Sequence, residues 1–544
     1  MGKRKKGATL KKSIGRKLED LSKSELLVEI SKRKKLPWLK EEIFEDNPLL
    51  DIVLVLRKYK IKHRFSKASL KEAKRISQSV NGSDLKGRID LRDELIFTID
   101  GEDAKDFDDA VSLEINNNYY ILGVHIADVS YYVKSGSPLD REAFERGNST
   151  YLIDVVFPML PFELSNGICS LNPNVDRLTV SVEMWINKKT LEVDKFDIFE
   201  SVIRSKYRLT YNYVEKVLDD PSIERDERLA YTLLNMWDLA KKLHDNRIAK
   251  GGIDFNFKET KIYLDESGNP IDFKVYPRLK SERLIEEFML MANKTVAKFL
   301  SDKGPTIFRI HEEPDYENIQ NISNIVSLFG FRLPPVEEVR SVHLQEVIMN
   351  VSQKEYEEFV NYIILRSMKQ ARYDTDNIGH YGLDFEHYTH FTSPIRRYPD
   401  LVIHRLVKFV LNNKKKRPKS LSLKKLKWIA DHCSETERES VSAERFIAKL
   451  KGIRYVKKYP DEVFDAIVSG FKEDGIFVQI IKNGVEGFVK IEDLGDEFVY
   501  DAKTNSFLSR KSGDSLSVGH KIKVKLKEYS LVKGFLDFII IRDE

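Results

Sequence analysis

The sequence predicts an α+β protein, a large mixed body of strands and helices followed by a small β-barrel. Three changes of texture along the 544 residues carry that reading. From residue 88 to about 190, β-branched and aromatic runs of strand length follow one another, and from 205 to 460 the apolar spacing turns helical. From 461 onward, five short strand-like runs stand between Gly, Asp and Asn turn signals, a pattern that suits a closed barrel of OB type. At roughly 100 to 200 residues per domain, such a chain has room for three or four domains and a substantial core.

Taken in order, residues 1–48 read as a basic arm. KRKK occurs twice there, at 3–6 and 32–35, among helix formers, so the arm is expected to be mobile or loosely helical. After Pro48, LLDIVLVLRKYKIKH and SKASLKEAKRISQSV predict two short helices, a lead-in over 49–87. The body, 88–460, opens with the strand runs IDLRDELIFTID, YYILGVHIADVSYYV and LTVSVEMWIN. Its clearest helix is SERLIEEFMLMANKTVAKFL, where Leu284, Ile285, Phe288, Met291, Ala292, Val296 and Phe299 share one face and Ser281 is placed to cap the start. The barrel, 461–544, is built from DEVFDAIVSGF, GIFVQII, VEGFVKI, KIKVKLKEY and FLDFIII. No repeat of 20 to 50 residues is present, which argues against a solenoid.

Composition narrows the function classes. Apolar residues at 41% and charged residues at 33% exclude a disordered chain and argue against a membrane protein, since no uncharged run reaches the ~18 residues of a span. The basic start lacks an apolar stretch, so no secretory signal is expected. Cys169 and Cys433 are the only cysteines, too few for a disulfide framework, and a reducing, cytoplasmic location is expected. The net charge of +5 hides a division: residues 1–80 carry 23 Lys and Arg against 10 Asp and Glu, a net +13, leaving −8 for all that follows. A second basic block, from Arg405 and Lys408 through Lys414–Arg417 to Lys427, contains no acid. Either block suits a polyanion such as nucleic acid, or a solvated lysine-rich face.

The segment TIDGEDAKDFDDAV, 98–111, places Asp100, Glu102, Asp103, Asp106, Asp108 and Asp109 within ten positions at the end of a strand run. So many carboxylates repel one another unless a cation or solvent compensates. Hard oxygen donors favour magnesium or manganese, and the EF-hand spacing of a calcium loop is absent. The flanking Ile99, Phe107, Ala110 and Val111 favour partial burial over a solvated acidic turn. The P-loop, G-x-S-x-G and H-E-x-x-H templates are all missing. A second segment, HFTSPIRRYPDLVIHR at 390–405, reads as a helix start at Ser393–Pro394 with Arg396 and Arg397 in the first turn, a phosphate site unless acids tie them down.

These two segments, with RLIEEFMLMAN and FRIHEEP, resemble the ribonuclease II/ribonuclease R family of hydrolytic 3′-to-5′ exoribonucleases, on the ribonuclease R side, over residues 50 to 544. FKEDGIFVQI and GVEGFVKIEDL are similar to the OB fold of ribosomal protein S-one. The resemblance implies an RNB-type body ending in an RNA-binding barrel, and a processive exoribonuclease that turns single-stranded RNA with a free 3′ end into nucleoside 5′-monophosphates. It implies that Asp100, Asp106, Asp108 and Asp109 bind magnesium, and that Asp108 is the aspartate whose loss abolishes cleavage while leaving RNA binding. Arg396 matches the arginine at the scissile phosphate, with Arg397 beside it at the RNA. Tyr151, in NSTYLIDVVFPMLP, matches the tyrosine that clamps the terminal nucleotide. Glu287 and Glu444 fall where the family has glutamates near the RNA end, and Phe255 or Phe257, in GGIDFNF, where it has a base-stacking aromatic.

The first 50 residues leave no room for the helix-turn-helix and cold-shock domains usual in ribonuclease R, and the chain ends FIIIRDE without a lysine-rich tail. The expectation is therefore a monomeric enzyme whose basic arm shares in RNA capture, with duplex unwinding left open. Two other classes remain: an RNA-binding protein with a dead nuclease body, against which intact Asp108 and Arg396 count, and a metal-dependent endonuclease or DNA nuclease.

Overall fold

The computed structural model describes residues 18, 21–38, 40–255, 259–354, 356–413, 416–494, 498–501, 506–509 and 515–541. Four short helices, α1 (Lys23–Lys32), α2 (Glu41–Asp46), α3 (Asp51–Lys58) and α4 (Lys67–Ala73), precede the strand runs. Those runs become β1 (Ile89–Leu91), β2 (Phe97–Asp100), β3 (Asp109–Ile115), β4 (Tyr119–Ala127), β5 (Thr150–Leu152), β6 (Val155–Phe157), β7 (Asp176–Asn187), β8 (Val193–Arg204) and β9 (Tyr207–Thr210). Among the described residues they form a sheet in the order β1-β8-β7-β4-β3-β2-β9, with β5 and β6 pairing apart as a small hairpin. The central strands β4 and β7 bury Leu122, Val124, Ile126, Val180, Val182, Met184 and Ile186 on one face of the sheet, where they pair across the strands as Leu122–Met184, Val124–Val182 and Ile126–Val180. β2 and β3 share a single register pair, Phe97 with Val111. Beyond it the ladder stops, and the acidic segment between Asp100 and Asp109 forms an open loop.

Helices cover the sheet: α5 (Val129–Tyr132), α6 (Pro138–Arg146), α7 (Tyr211–Asp219), α8 (Glu227–Lys250) and α9 (Lys280–Ser301). The apolar face of α9 is the one its spacing predicts, with Leu284, Ile285, Phe288, Met291, Ala292 and Val296 buried and Phe299 packed at the margin. Its start differs from the sequence expectation. Glu282 accepts the backbone N–H of Leu279 at 2.9 Å, which places the N-cap two residues earlier, at Leu279, and Ser281 donates instead to the carbonyl of Tyr211 at 2.9 Å. The hairpin of β10 (Glu259–Leu264) with β11 (Pro270–Tyr276) and the long-range antiparallel pair of β12 (Phe308–Ile310) with β13 (Arg372–Asp374) punctuate the second half. Three helices, α10 (Tyr316–Leu328), α11 (Ser341–Val351) and α12 (Glu357–Ser367), hold a core of their own around Ile322, Leu344 and Val360. α13 (Tyr398–Leu411) and the long α14 (Leu423–Lys457) complete the body.

The five C-terminal strand runs close as expected. β14 (Val463–Lys472), β15 (Gly475–Ile480), β16 (Glu486–Lys490), β20 (Lys521–Ser530) and β21 (Phe535–Ile541) form a barrel in the order β14-β15-β16-β21-β20. A three-stranded insertion, β17 (Phe498–Asp501), β18 (Ser506–Ser509) and β19 (Ser515–Leu516), lies between β16 and β20. Phe464, Ala466 and Val468 alternate into the barrel at the period-two spacing of a half-buried strand.

The N-terminal segment corrects the reading of a mobile arm. Leu18, Leu26, Ile30, Phe44, Leu50, Val53 and Val55 share one apolar cluster with Phe446, Ile447 and Leu450 of α14 and with Phe464 and Val478 of the barrel. The apolar residues are diluted by lysines in the sequence but fall on one side once α1 to α3 form. The first KRKK lies outside the described residues. At the centre of this junction Asp51 is fully buried and accepts from Lys451 at 2.7 Å and from Arg454 at 2.7 and 2.8 Å. Removing one partner of such a group strands buried charge, at about 3–5 kcal/mol. Asp51→Ala is therefore expected to lower the free energy of unfolding by that amount, read from denaturant titrations followed by circular dichroism, whereas an exposed control such as Asp103→Ala leaves it unchanged.

Candidate active site

The site begins in the open loop after β2. Asp100 ends that strand and accepts the N–H of Gly101 at 2.7 Å. Arg208, on the neighbouring parallel strand β9, donates to the carbonyls of Gly101 and Glu102, and Asn212 donates to the Glu102 side chain at 2.9 Å. The loop is thus held from the side by its sheet partner. Of its six acids, Glu102 and Asp103 face solvent, while Asp100, Asp106, Asp108 and Asp109 lie close enough to act on one another. Phe107, buried between Asp106 and Asp108, anchors the loop and donates its backbone N–H to Ser170 Oγ at 3.0 Å.

Burial raises all four carboxylates above their ordinary range. Asp108 is 3% exposed and stands well above it, with Asp106 and Asp109 adding to the rise. Burial, then the Asp100 charge, pushes Asp109 up to about 7. Arg396 supplies the main opposing pull on Asp108 and Asp109, and on Asp100 and Asp106 it adds to that of backbone N–H groups. Its Nε lies 3.5 Å from Asp108 Oδ2, and its side chain remains 47% exposed. Asp108 Oδ1 accepts the N–H of Ile395 at 2.8 Å, while Oδ2 is buried without a hydrogen-bond partner among the described residues. An orphaned carboxylate oxygen among three further carboxylates is a donor set suited to a hard divalent cation. As the side chains stand, no three His, Cys, Asp or Glu groups among the described residues form a ready-made metal cage, so the fit rests on donor chemistry.

The arginine segment departs from the expected helix start. Residues 393–396 form a turn, in which the N–H groups of Arg396 and Arg397 both donate to the carbonyl of Ser393, and α13 begins only at Tyr398 with Pro399 in its first turn. The backbone donor of this turn that was expected to take phosphate is occupied by Asp108. The two arginines consequently diverge. Arg396 faces the carboxylates, whereas Arg397 donates to Asp400 at 2.7 Å, a wholly buried acid one turn into α13. Arg397 is thus tied down by an acid, the alternative reading of the pair. The second basic block is likewise partly internal: Arg405 bonds Asp140 at 2.6 Å and Lys408 bonds Asp128 at 2.5 Å. Lys414 and Lys415 lie outside the described residues.

Tyr151, on β5, joins the same cluster. Burial, then the charge of nearby Asp106, drives the ionisation of its hydroxyl upward. Tyr151 remains 39% exposed, and its backbone N–H donates to Glu444 of α14 at 3.1 Å. The N–H of Ser149 donates to the carbonyl of Arg396 at 3.0 Å, so the strand bearing the tyrosine is stitched to the turn bearing the arginine. Glu444 is therefore beside the site, as a backbone anchor for Tyr151. Glu287 stands elsewhere. It is 2% exposed and engaged by Arg247 at 2.6 Å and His244 at 3.1 Å, and its oxygens are spent on that buried pair instead of facing RNA. Phe255 packs half-buried against the α10–α12 core, and Phe257 lies outside the described residues. Sequence reasoning missed Arg208 and the Ile395 N–H. The parallel pairing of YRLT with the strand before the acidic loop was the only signal for the first, and a backbone donor leaves none.

Residues 88–413 match the RNB domain family and residues 457–538 the S1 RNA binding domain. The chain is 42% identical over 508 residues to ribonuclease R of Thermotoga maritima, covering 92% of this chain and 71% of the relative. Its fold is similar to that of Mycoplasma genitalium RNase R in complex with ribose methylated single-stranded RNA, with a TM-score of 0.86 and 29% identity over 91% of this chain and 78% of the other. The same bacterial protein in complex with double-stranded RNA matches with a TM-score of 0.80 and 28% identity, over 91% and 84%.

Proposed function

The chain belongs to the ribonuclease R family of RNB-domain proteins, and from that premise we propose that it is a processive 3′-to-5′ exoribonuclease whose hydrolytic site is the Asp100, Asp106, Asp108, Asp109 and Arg396 cluster. Exoribonuclease action on RNA is the family's activity, and the barrel is an S1 RNA-binding domain. The observation that carries the assignment of the site is the convergence of Arg396 and an orphaned Asp108 oxygen, with Tyr151 close enough to feel the Asp106 charge. It favours a working site over a dead nuclease body, because a protein that only bound RNA would gain nothing from burying four mutually repelling acids.

Each residue has a physical task. Arg396, half-exposed beside the acids, offers its guanidinium to the oxygens of the last phosphodiester and neutralises the charge that builds there during in-line attack. Tyr151 presents an exposed ring edge on which the terminal nucleotide is held in place, and Glu444 fixes the strand that carries it. Asp100, Asp106, Asp108 and Asp109 would hold magnesium, or manganese, which supplies an activated water and steadies the leaving 3′ oxygen. No covalent nucleophile is needed, and hydrolysis at the 3′ end releases one nucleoside 5′-monophosphate at a time. Single-stranded RNA reaches the site by charge and base stacking without sequence readout. The enzyme acts as a monomer in the cytoplasm. No helix among the described residues is long and apolar enough to cross a membrane.

One assay tests the reading. With 5′-labelled RNA and DNA of equal sequence, the RNA is expected to shorten from its 3′ end in the presence of magnesium, to stop on chelation, and to leave no internal fragments, while the DNA persists. Cleavage of the DNA or internal fragments from the RNA would overturn it. A duplex with a 3′ overhang extends the test, since the Mycoplasma relative was solved in complex with double-stranded RNA. Digestion through the duplex assigns structured RNA to the substrate range, and arrest at its edge removes it.

A further inference from the structure

Arg33, Lys34 and Lys35 of the second KRKK, the two lysines exposed, form one wall of a groove of about 1050 Å³ between the segment after α1 and the segment joining α3 to α4. Lys34, Lys35, Lys60 and Arg64 line it and carry no ion pair among the described residues. The acids in its lining are Glu142 and Glu145, and both are engaged: Glu142 by Arg146 at 3.2 Å and by the N–H of Ser66 at 3.0 Å, Glu145 by Lys62. At the rim stands Trp38, 83% exposed, with the Arg57 guanidinium 3.8 Å from its ring centroid on one face. A fully exposed indole beside uncompensated lysines serves no packing purpose in this fold. One face is occupied by the arginine and the other is open.

We propose that this groove is a second RNA-binding site, which holds a single-stranded segment 5′ of the end engaged at Tyr151 and Arg396, with one base stacked on Trp38 and backbone phosphates on Lys34, Lys35 and Lys60. The proposal rests on the exoribonuclease reading for the identity of its ligand. Two observations orient the groove toward the site. Lys60, Lys62 and Glu145 also line a narrow cleft with Asn148, Thr150 and Ser440, the residues flanking Tyr151. Six residues separate Glu145 from Tyr151, which limits the gap between them to about 21 Å. Base stacking on an aromatic is sequence-tolerant, as a degradative enzyme requires, and the lysines supply the salt-dependent part of affinity.

Binding is measured in the full chain carrying Asp108→Asn, so that RNA survives, with a long unstructured oligoadenylate and one of about four nucleotides, near the lower limit of a single-strand site. Adding Trp38→Ala is expected to weaken the long RNA about 10-fold or more, and Trp38→Phe to restore most of that loss. Changing Lys34, Lys35 and Lys60 together to alanine should lower the slope of log affinity against log salt by about 2. The short RNA is expected to bind all these chains alike. Unchanged affinity of Trp38→Ala for the long RNA would overturn the proposal. So would equal weakening of long and short RNA, or dextran sulfate bound as tightly as RNA and indifferent to Trp38, which would mark a generic anionic-partner face. Digestion of the short RNA by the unsubstituted chain reads the exoribonuclease assignment separately.

Discussion

Asp108→Asn is expected to reduce the rate of RNA digestion by about 10³-fold, the order attached to removing one group that stabilises charge in a reacting site, while RNA affinity stays within a few-fold. The geometry dictates the asymmetry. The N–H of Ile395 needs an acceptor, so the amide oxygen takes the place of Oδ1 at that bond and the amide nitrogen occupies the position of the orphaned Oδ2. There it can neither accept from Arg396 nor draw a cation. The fold gains in the exchange, because a neutral side chain no longer pays for burial and no longer repels Asp106 and Asp109. Thermal unfolding of the variant is therefore expected at or above the temperature of the unsubstituted chain. Digestion rates, filter binding and an unfolding scan on one preparation check all three. Full activity in the variant would refute the assigned role, and a large fall in melting temperature would show that activity was lost through the fold.

How legible this site was in the sequence depended on how local its parts are. The four aspartates crowd into ten residues beside a strand, and their grouping at one place could be read without a structure. Arg396 and Arg397 could not be told apart, because the turn at 393–396 that sends them to opposite sides is set by Asp108, almost 290 residues earlier in the chain, claiming the Ile395 N–H. Glu287 lies on a helix whose apolar face was read correctly, yet its partners His244 and Arg247 sit on α8, and nothing in its own segment discloses that the carboxylate is spent. The barrel was legible because each strand is short, alternating and bounded by turn residues. The N-terminal segment was not, since lysine-rich composition conceals an apolar stripe that exists only when α14 and the barrel are present to receive it. Sequence separation, more than residue chemistry, marks the boundary between what was read and what was missed.

Acidification from pH 7 to pH 5 is expected to cost the native state about 4 kcal/mol through two histidines alone. His125 lies in the central strand β4, 1% exposed, with Nδ1 and Nε2 hydrogen-bonded to the hydroxyls of Ser181 at 2.7 Å and Ser112 at 3.0 Å. His404 is fully buried in α13 and its Nε2 donates to the carbonyl of Phe391 at 2.9 Å, leaving Nδ1 unprotonated without a partner. Burial holds His125 down at about 3 and His404 at about 4, against 6.5 when unfolded. Both side chains are neutral in the fold, so below pH 6.5 the unfolded chain binds the extra protons. The stabilisation is complete above that value, shrinks as pH falls, and is gone at about 3 to 4. At pH 5 the difference of 1.5 units between pH and the unfolded value is worth about 2 kcal/mol for each histidine. Burial holds His311, His380 and His390 below their ordinary value too, and they add to the decline. Urea titrations at pH 7 and 5 measure it as unfolding free energy, and the double variant His125→Gln/His404→Gln, which keeps a donor and an acceptor at each place without a titrating base, is expected to shrink it by about 4 kcal/mol. The same decline in the double variant would place the acid sensitivity in other groups. Because stability of a domain amounts to about 5–15 kcal/mol, a loss of this size weakens the body that holds the carboxylate loop over the same pH range in which Asp109, pushed up to about 7, takes up its proton, so an unfolding scan at each pH separates the two causes of a fall in activity.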